Sequence, residues 1–254
     1  MVVGWRRGGT SCLMSALREA GIPVVGFKYP YEFHLSQMNK ETLEVLRENM
    51  VREGGVFDPI SKVVKRNPSG FWEVPSIALH DGLQEKHSDF GNEGNVVKIT
   101  MERLANSNPK LIHKVILILR NPHQVITSRM YDKEIKDEEL FIRTNALGML
   151  YNFLVALRWL KGIKIPYKII HYEDLISEPQ TTLLGICDFI GRGNPYWGSK
   201  VIDPKLNRSK PIENDCQELK DLMEFYKGGD DPFAYNLSEM HDKIIKMKEE
   251  YESK

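Results

Sequence analysis

The chain predicts an α/β fold, a central parallel sheet of about five strands between two helical layers, and three observations carry that expectation. Short apolar runs alternate with helix-patterned segments along most of the sequence, the order that builds βαβ units. Lys114-Val115-Ile116-Leu117-Ile118-Leu119 has no polar alternation after its lysine, as in a parallel strand covered on both faces. The first apolar run, Met1-Val2-Val3, leads directly into a glycine-bearing loop and then a helix.

Each element follows from local pattern. Val2 to Gly4 is the first strand, and Thr10 to Ala20 a helix that Gly21 stops, glycine being the residue that closes a helix in a left-handed conformation. Pro23 to Phe27 reads as a second strand and Asn39 to Val51 as an amphipathic helix. Val96 to Ile99 is a third strand, Lys114 to Leu119 a fourth, and Tyr167 to His171 a fifth. A long helix from Asp137 to Leu160 precedes that last strand, and a helix from Pro179 to Ile190 follows it. Residues 57–94, rich in Pro, Gly and Asn, read as an insertion over the sheet's carboxyl edge, where open α/β sheets bind ligands. Residues 237–254 read as a mixed-charge helix with a solvated surface.

Composition bounds the function. With 254 residues, 41% hydrophobic and 28% charged, the chain reads as a single domain spanning 1–254. A net charge of +0 gives no global field to recruit nucleic acid, so an anion site has to be local. Cys12, Cys187 and Cys216 lie far apart with no metal-like spacing, which fits reduced thiols and a cytoplasmic location. No apolar stretch reads as a membrane span, and with a strand beginning at residue 1 no signal peptide is expected within the chain.

Two anion signals stand out. Gly4-Trp5-Arg6-Arg7-Gly8-Gly9-Thr10-Ser11 keeps the glycine and hydroxyl spacing of a phosphate loop, G-x-x-x-x-G-K-[ST], but Thr10 stands where the lysine belongs. Its backbone N–H groups at a helix N-terminus can still cradle an anion, and the frame makes the fold a P-loop-type three-layer αβα. The second signal is Arg120-Asn121-Pro122, which follows the fourth strand, with Ser128 about two helical turns on. That placement offers an arginine for bidentate phosphate recognition and a hydroxyl donor.

Together these segments resemble the sulfotransferases that use 3'-phosphoadenosine-5'-phosphosulfate (PAPS). Their first loop reads Pro-(Arg/Lys)-Ser-Gly-Thr-(Thr/Ser); Arg7-Gly8-Gly9-Thr10-Ser11 is similar, with Gly8 in place of serine. Their second signature, an Arg-(Asn/Asp)-Pro run ending in serine, is similar to Arg120 through Ser128, with Gln124 replacing a common aspartate. Tyr172-Glu173-Asp174-Leu175 and Asn67-Pro68-Ser69-Gly70-Phe71-Trp72-Glu73 are further likenesses, the second to bacterial and viral members. The resemblance spans roughly residues 1 to 235. It lies nearer to those members and to tyrosylprotein-like branches than to animal cytosolic ones.

The resemblance implies a 5'-phosphosulfate on Arg7, Gly8, Gly9, Thr10 and Ser11, and a 3'-phosphate on Arg120 and Ser128, with Tyr172 beside the nucleotide. The basic stretch Arg208, Ser209, Lys210 is similar to the family's late nucleotide-closing loop. It implies sulfonate transfer from PAPS to a hydroxyl acceptor, release of PAP, and no metal. Arg7 and Lys98 are the candidate cations of catalysis, and Thr100 stands where one branch has a histidine base. Glu32, set among Tyr29, Tyr31 and Phe33, is the candidate base, since partial desolvation raises a carboxyl pKa toward a useful range. His34, Glu73, His80 and Glu102 are reserves; Trp197 or Tyr196 could stack adenine. Phe71 and Trp72 join the loop aromatics as a candidate acceptor wall for a carbohydrate, lipid, tyrosine or small alcohol. A degenerate P-loop kinase and a non-catalytic nucleotide-binding protein are the competing expectations.

Overall fold

The computed structural model describes residues 1–26, 83–84, 94–130, 135–207, 212, 216–228 and 233–253. Five parallel strands form its sheet: β1 (Val2–Gly4), β2 (Val24–Val25), β3 (Val96–Thr100), β4 (Val115–Leu119) and β5 (Tyr167–His171). Their order is β2-β3-β1-β4-β5. β1 is central, paired Val3↔Ile99 on one side and Val3↔Leu117 on the other. The chain lays β2 and β3 to one side of β1, then crosses to add β4 and β5 on the other. The loop after β1 therefore opens at the topological switch point, the position where such sheets accept ligands.

The two-residue period of a strand sorts the core into two faces. Val2 of β1 with Ile116 and Ile118 of β4 packs under α1 (Thr10–Glu19), sharing a cluster with Leu13, Leu17, Leu183 and Ile186. Val3 with Val115, Leu117 and Leu119 packs on the opposite face against α4 (Glu138–Ile163). Between β3 and α4 run α2 (Met101–Leu104) and, after β4, α3 (Pro122–Met130). α5 (Tyr172–Ser177) and α6 (Pro179–Ile190) follow β5 directly, then α7 (Pro195–Ser199). α8 (Gln217–Tyr226) packs on α4 through Leu219, Leu222 and Phe225.

Two expectations are corrected. α4 is apolar and, at 26 residues, long enough to cross a membrane, which the sequence reading did not anticipate. Most of its apolar window is buried inside the protein, in the cluster with the sheet and α8. Asp137 caps it by accepting from the Leu140 N–H at 2.9 Å, so its start is written in the sequence as an N-cap. The last helix, α9 (Leu237–Ser253), is not merely a solvated surface. It buries Ile244 and Met247 on Leu140 and Leu147 of α4, and Lys243 reaches Glu218 of α8 at 2.9 Å.

The helix read at Asn39–Val51 and residues 57–82 and 85–93 of the expected insertion lie outside the described residues. So do Glu32, the neighbouring aromatics Tyr29, Tyr31, Phe33, Phe71 and Trp72, the reserves His34, Glu73 and His80, and Arg208, Ser209 and Lys210. Cys12, Cys187 and Cys216 are not joined in a disulfide.

Candidate active site

The carboxyl ends of β1, β3, β4 and β5 share one edge because the strands are parallel, and the residues just beyond them form the site. After β1 the chain turns sharply: the Gly8 N–H donates to the Trp5 carbonyl at 2.8 Å. Arg7 and Gly9 both take left-handed backbone conformations, with φ of 69° and 88°. A non-glycine residue held there costs of order 1–3 kcal/mol, a strain that clusters at ligand-binding loops. Trp5 anchors the turn from below, fully buried, its indole N–H donating to the Met149 carbonyl of α4 at 3.2 Å.

Glycine is required twice here. A Cβ on Gly9 would stand 2.2 Å from the Tyr172 ring, and one on Gly8 would stand 2.8 Å from the Trp5 carbonyl oxygen. The second distance explains why Gly8 replaces the serine of the resembling loop: in this turn the side chain's first carbon meets backbone. α1 then begins with no side-chain cap and no acidic residue in its first turn. The first N–H groups of a helix have no intrahelical acceptor and carry the positive end of its dipole, so this end is built to receive an anion.

Around that helix start the sequence-predicted cations gather. Lys98 is 4% exposed and its Nζ donates to Ser11 Oγ at 3.2 Å, which ties β3 to α1. It is therefore no solvent-reaching strand-end lysine. Arg120, at the end of β4, donates from Nη1 to the Arg7 carbonyl at 3.0 Å, from Nη2 to Asn207 Oδ1 at 2.6 Å and from Nε to Gln124 Oε1 at 3.2 Å. Its guanidinium carbon lies 4.8 Å from the centroid of the Tyr172 ring. Among the described residues three of its five N–H groups are engaged, which leaves two for a ligand. Burial lowers the Arg120 pKa, opposed by the nearby Tyr172 and the Glu173 carboxylate. Burial pushes the Tyr172 phenol up to about 12, so the ring is neutral at ordinary pH. Tyr172 thus stands against both Gly9 and Arg120, joining the two anion signals physically.

Several residues of this arrangement escaped the sequence reading. Glu173 accepts from the Asn121 N–H at 2.9 Å and from the Tyr226 hydroxyl at 2.7 Å. The carboxylate that follows β5 is thus committed to fixing the turn after Arg120 and docking α8. Asn207 directly precedes the basic stretch at Arg208, but its role was not read from it, and Tyr226 sits in a segment without a motif; only the fold brings them here. Arg129, one residue past Ser128 on α3, donates from Nη1 to Asn145 Oδ1 of α4 at 2.9 Å, while its buried Nε and Nη2 have no partner among the described residues. The adjacency to Ser128 was the available signal.

Other expectations fare differently. Ser128 lies half-buried on α3, near its end. Glu102 is exposed on α2. Tyr196 and Trp197 do not reach the site. They lie on α7, which packs at the far end of α1, where a Cβ on Gly198 would meet the Ala16 carbonyl. Trp197 is 54% exposed and stacks with Lys200, 4.6 Å from its ring centroid. Sequence could not place them, because α7 is a short helix that turns the chain back beneath α6. Among the described residues no group of three or more His, Cys, Asp or Glu could hold a metal ion.

The sulfotransferase domain family model matches residues 1–209. The chain belongs to that family. Among solved structures, the sulfotransferase domain of the Synechococcus PCC 7002 olefin synthase is similar. It is 16% identical, with a TM-score of 0.41, and the match covers 92% of this chain and 94% of that one. No curated protein matches. This sulfotransferase domain accordingly carries sulfotransfer chemistry in general, and its glycine-bearing loop, Arg120 and Tyr172 are the parts the geometry brings together.

Proposed function

We propose that this sulfotransferase takes its sulfonate from PAPS and passes it to a hydroxyl acceptor by in-line displacement. The observation that carries this reading is the junction of Arg7, Gly9, Tyr172 and Arg120. One guanidinium holds the loop carbonyl at 3.0 Å while its tyrosine neighbour closes on Gly9. A single ligand with anions at both ends matches such a paired site, and Thr10 in place of lysine suits a 5' group with no third phosphate. The uncapped start of α1 fits the 5'-phosphosulfate; the two remaining N–H groups of Arg120, with Ser128, fit the 3'-phosphate.

In this mechanism the acceptor oxygen forms a bond to sulfur as the bond from sulfur to the bridging oxygen breaks. PAP leaves with that electron pair. Negative charge grows on the bridging oxygen, where Arg7 and Lys98 offset it, Lys98 positioned by Ser11. Glu32 takes the acceptor proton. Catalysis then consists of orientation and charge placement, as in phosphoryl transfer.

Binding of PAP compared with ATP, with and without magnesium, tests the donor. Micromolar PAP binding without metal is expected; magnesium-dependent ATP binding with no PAP affinity sinks the reading. Glu32→Gln is expected to keep PAP affinity and to cut transfer of radiolabelled sulfate by ~10²-fold. Full activity in that variant moves the base elsewhere.

A further inference from the structure

An arginine in a protein interior normally finds an acceptor for each face of its fork, because a buried donor without one costs about 1–3 kcal/mol and a charged one more. Arg129 departs from this. Its Nη1 is fixed on Asn145 at 2.9 Å, and its Nε and Nη2 are closed off from solvent with no acceptor among the described residues. Those two nitrogens form the side-on edge of the guanidinium, the edge whose parallel N–H bonds match the two oxygens of a carboxylate, sulfate or phosphate. Asn145 is itself anchored, its amide donating to the Phe141 carbonyl one turn back at 2.9 Å. The fork is therefore set in orientation by α4 rather than left to swing.

Its surroundings point to an anion from outside. The charges that reach Arg129 are those of Glu102, Arg6 and Arg7, two cations of the loop after β1 against one exposed carboxylate on α2. Arg120, by contrast, faces Tyr172 and Asn207 on the β5 side. The unpartnered edge thus has charged neighbours on the loop after β1 and on α2, whereas Arg120 is also held from the β5 side.

We infer that the Nε–Nη2 edge of Arg129 is a receptor for an anionic group of the acceptor, so that the molecule sulfated carries a carboxylate, phosphate or sulfate besides its reacting hydroxyl. The inference rests on the donor reading above, because it assigns the edge by contrast with the nucleotide's own anions. An anion seated there is bound in a poorly solvated place, where a charge-assisted pair is stronger than in water. Asn145 is a positioning residue: it aims the edge and touches no ligand.

The test follows the arginine Nε–Hε nitrogen-15 resonance that vanishes in Arg129→Lys; an Nε shut off from water exchanges slowly enough to be observed. If Arg129→Lys does not fold, the resonance displaced by Asn145→Ala identifies it. PAP and freshly added PAPS are each expected to leave this resonance nearly in place. Inorganic sulfate, added on top of saturating PAPS, is expected to move it saturably, with half-saturation about tenfold weaker in Asn145→Ala. Arg129→Lys is expected to bind PAP within about twofold of the parent, since no nucleotide anion is assigned to that edge. A shift driven by PAPS alone, equal to that from sulfate, gives the edge to the donor's sulfonate and overturns the acceptor assignment. No shift with sulfate overturns the receptor altogether. Failure to bind PAP, with a sulfate shift retained, sinks the donor reading and leaves the receptor standing.

Discussion

Arg120 and Arg129 bracket the same helix, nine residues apart, and the protein treats them in opposite ways. Arg120 has an acceptor on each of its three nitrogens and a tyrosine ring beside it. Arg129 has one acceptor and a bare edge. The first is built into the loop it supports: it fixes the Arg7 carbonyl, so removing it disturbs the loop as well as the proposed anion contact. The second is held at one end only. A donor site present in every turnover rewards a rigid grip; a group that meets its partner only with the acceptor bound has to keep its donors unspent. The difference separates residues that shape the site from residues that wait for a ligand.

The hardest test of the rigid half is Gly9→Ala. The new methyl meets the Tyr172 ring and the backbone must hold φ of 88° with a side chain attached. Together these are expected to destabilise the protein by about 3 kcal/mol or to push Tyr172 off Arg120. Denaturant unfolding and PAP calorimetry check both; an unchanged midpoint with unchanged affinity shows that the contact is loose. Next in size, Arg120→Ala is expected to weaken PAP binding by roughly 1.5–3 kcal/mol. Unchanged PAP affinity in a folded variant removes Arg120 from the 3'-phosphate.

Much of the rigid half was legible in the sequence, and the reasons are local. Strand β4, the start of α1, the cap at Asp137 and the helix from Pro179 to Gly191 follow from runs, caps and breakers that act within a few residues. The loop and Arg120 were legible as motifs. Tyr172 was legible only as a likeness, whereas its position between Gly9 and Arg120 is a product of strand order. Tyr226 and Asn145 carry no pattern, and Asn207 only adjoins one, because a side chain that satisfies a distant donor needs only one correct atom at the right place. Arg129 had only its adjacency to Ser128 as a signal, for a different reason. Its significance is an absent partner, and absence is a property of three-dimensional packing.

The open half makes a prediction of opposite sign. Methionine nearly matches the length of an arginine stem and carries no charge, so Arg129→Met removes an uncompensated buried cation. It is expected to raise unfolding free energy by about 1 kcal/mol, whereas Arg120→Met is expected to lower it by about 1–2 kcal/mol through the loss of three bonds. Chemical denaturation of the two variants side by side measures the contrast. Destabilisation of similar size in both would mean that Arg129 is a structural arginine like its neighbour, and the case for a waiting edge would fall.

The smallest effect calibrates the comparison with an arginine whose partner is a protein carboxylate. Arg143 of α4 donates from Nε and Nη2, the same side-on edge, to both oxygens of Glu218 at 3.2 Å. Lys243 of α9 adds a third contact to that carboxylate at 2.9 Å. Burial alone would raise the Glu218 pKa; the bonds from Arg143 and Lys243 outweigh it and hold the carboxyl at about 2, below its usual 4.5. A depressed carboxyl contributes stability that is fully present above its unfolded value and is lost as pH falls through its folded one. Between about pH 4.5 and 2, then, the parent should lose stability that Glu218→Gln has already lost, so the gap between the two curves closes with falling pH. Arg143 and Lys243 remain partly exposed, which keeps the gap at neutral pH near ~1 kcal/mol. A gap independent of pH would show that the Arg143 edge draws nothing from the charge on its carboxylate, and a bidentate anion on the matching edge of Arg129 would then lose its closest precedent in this protein.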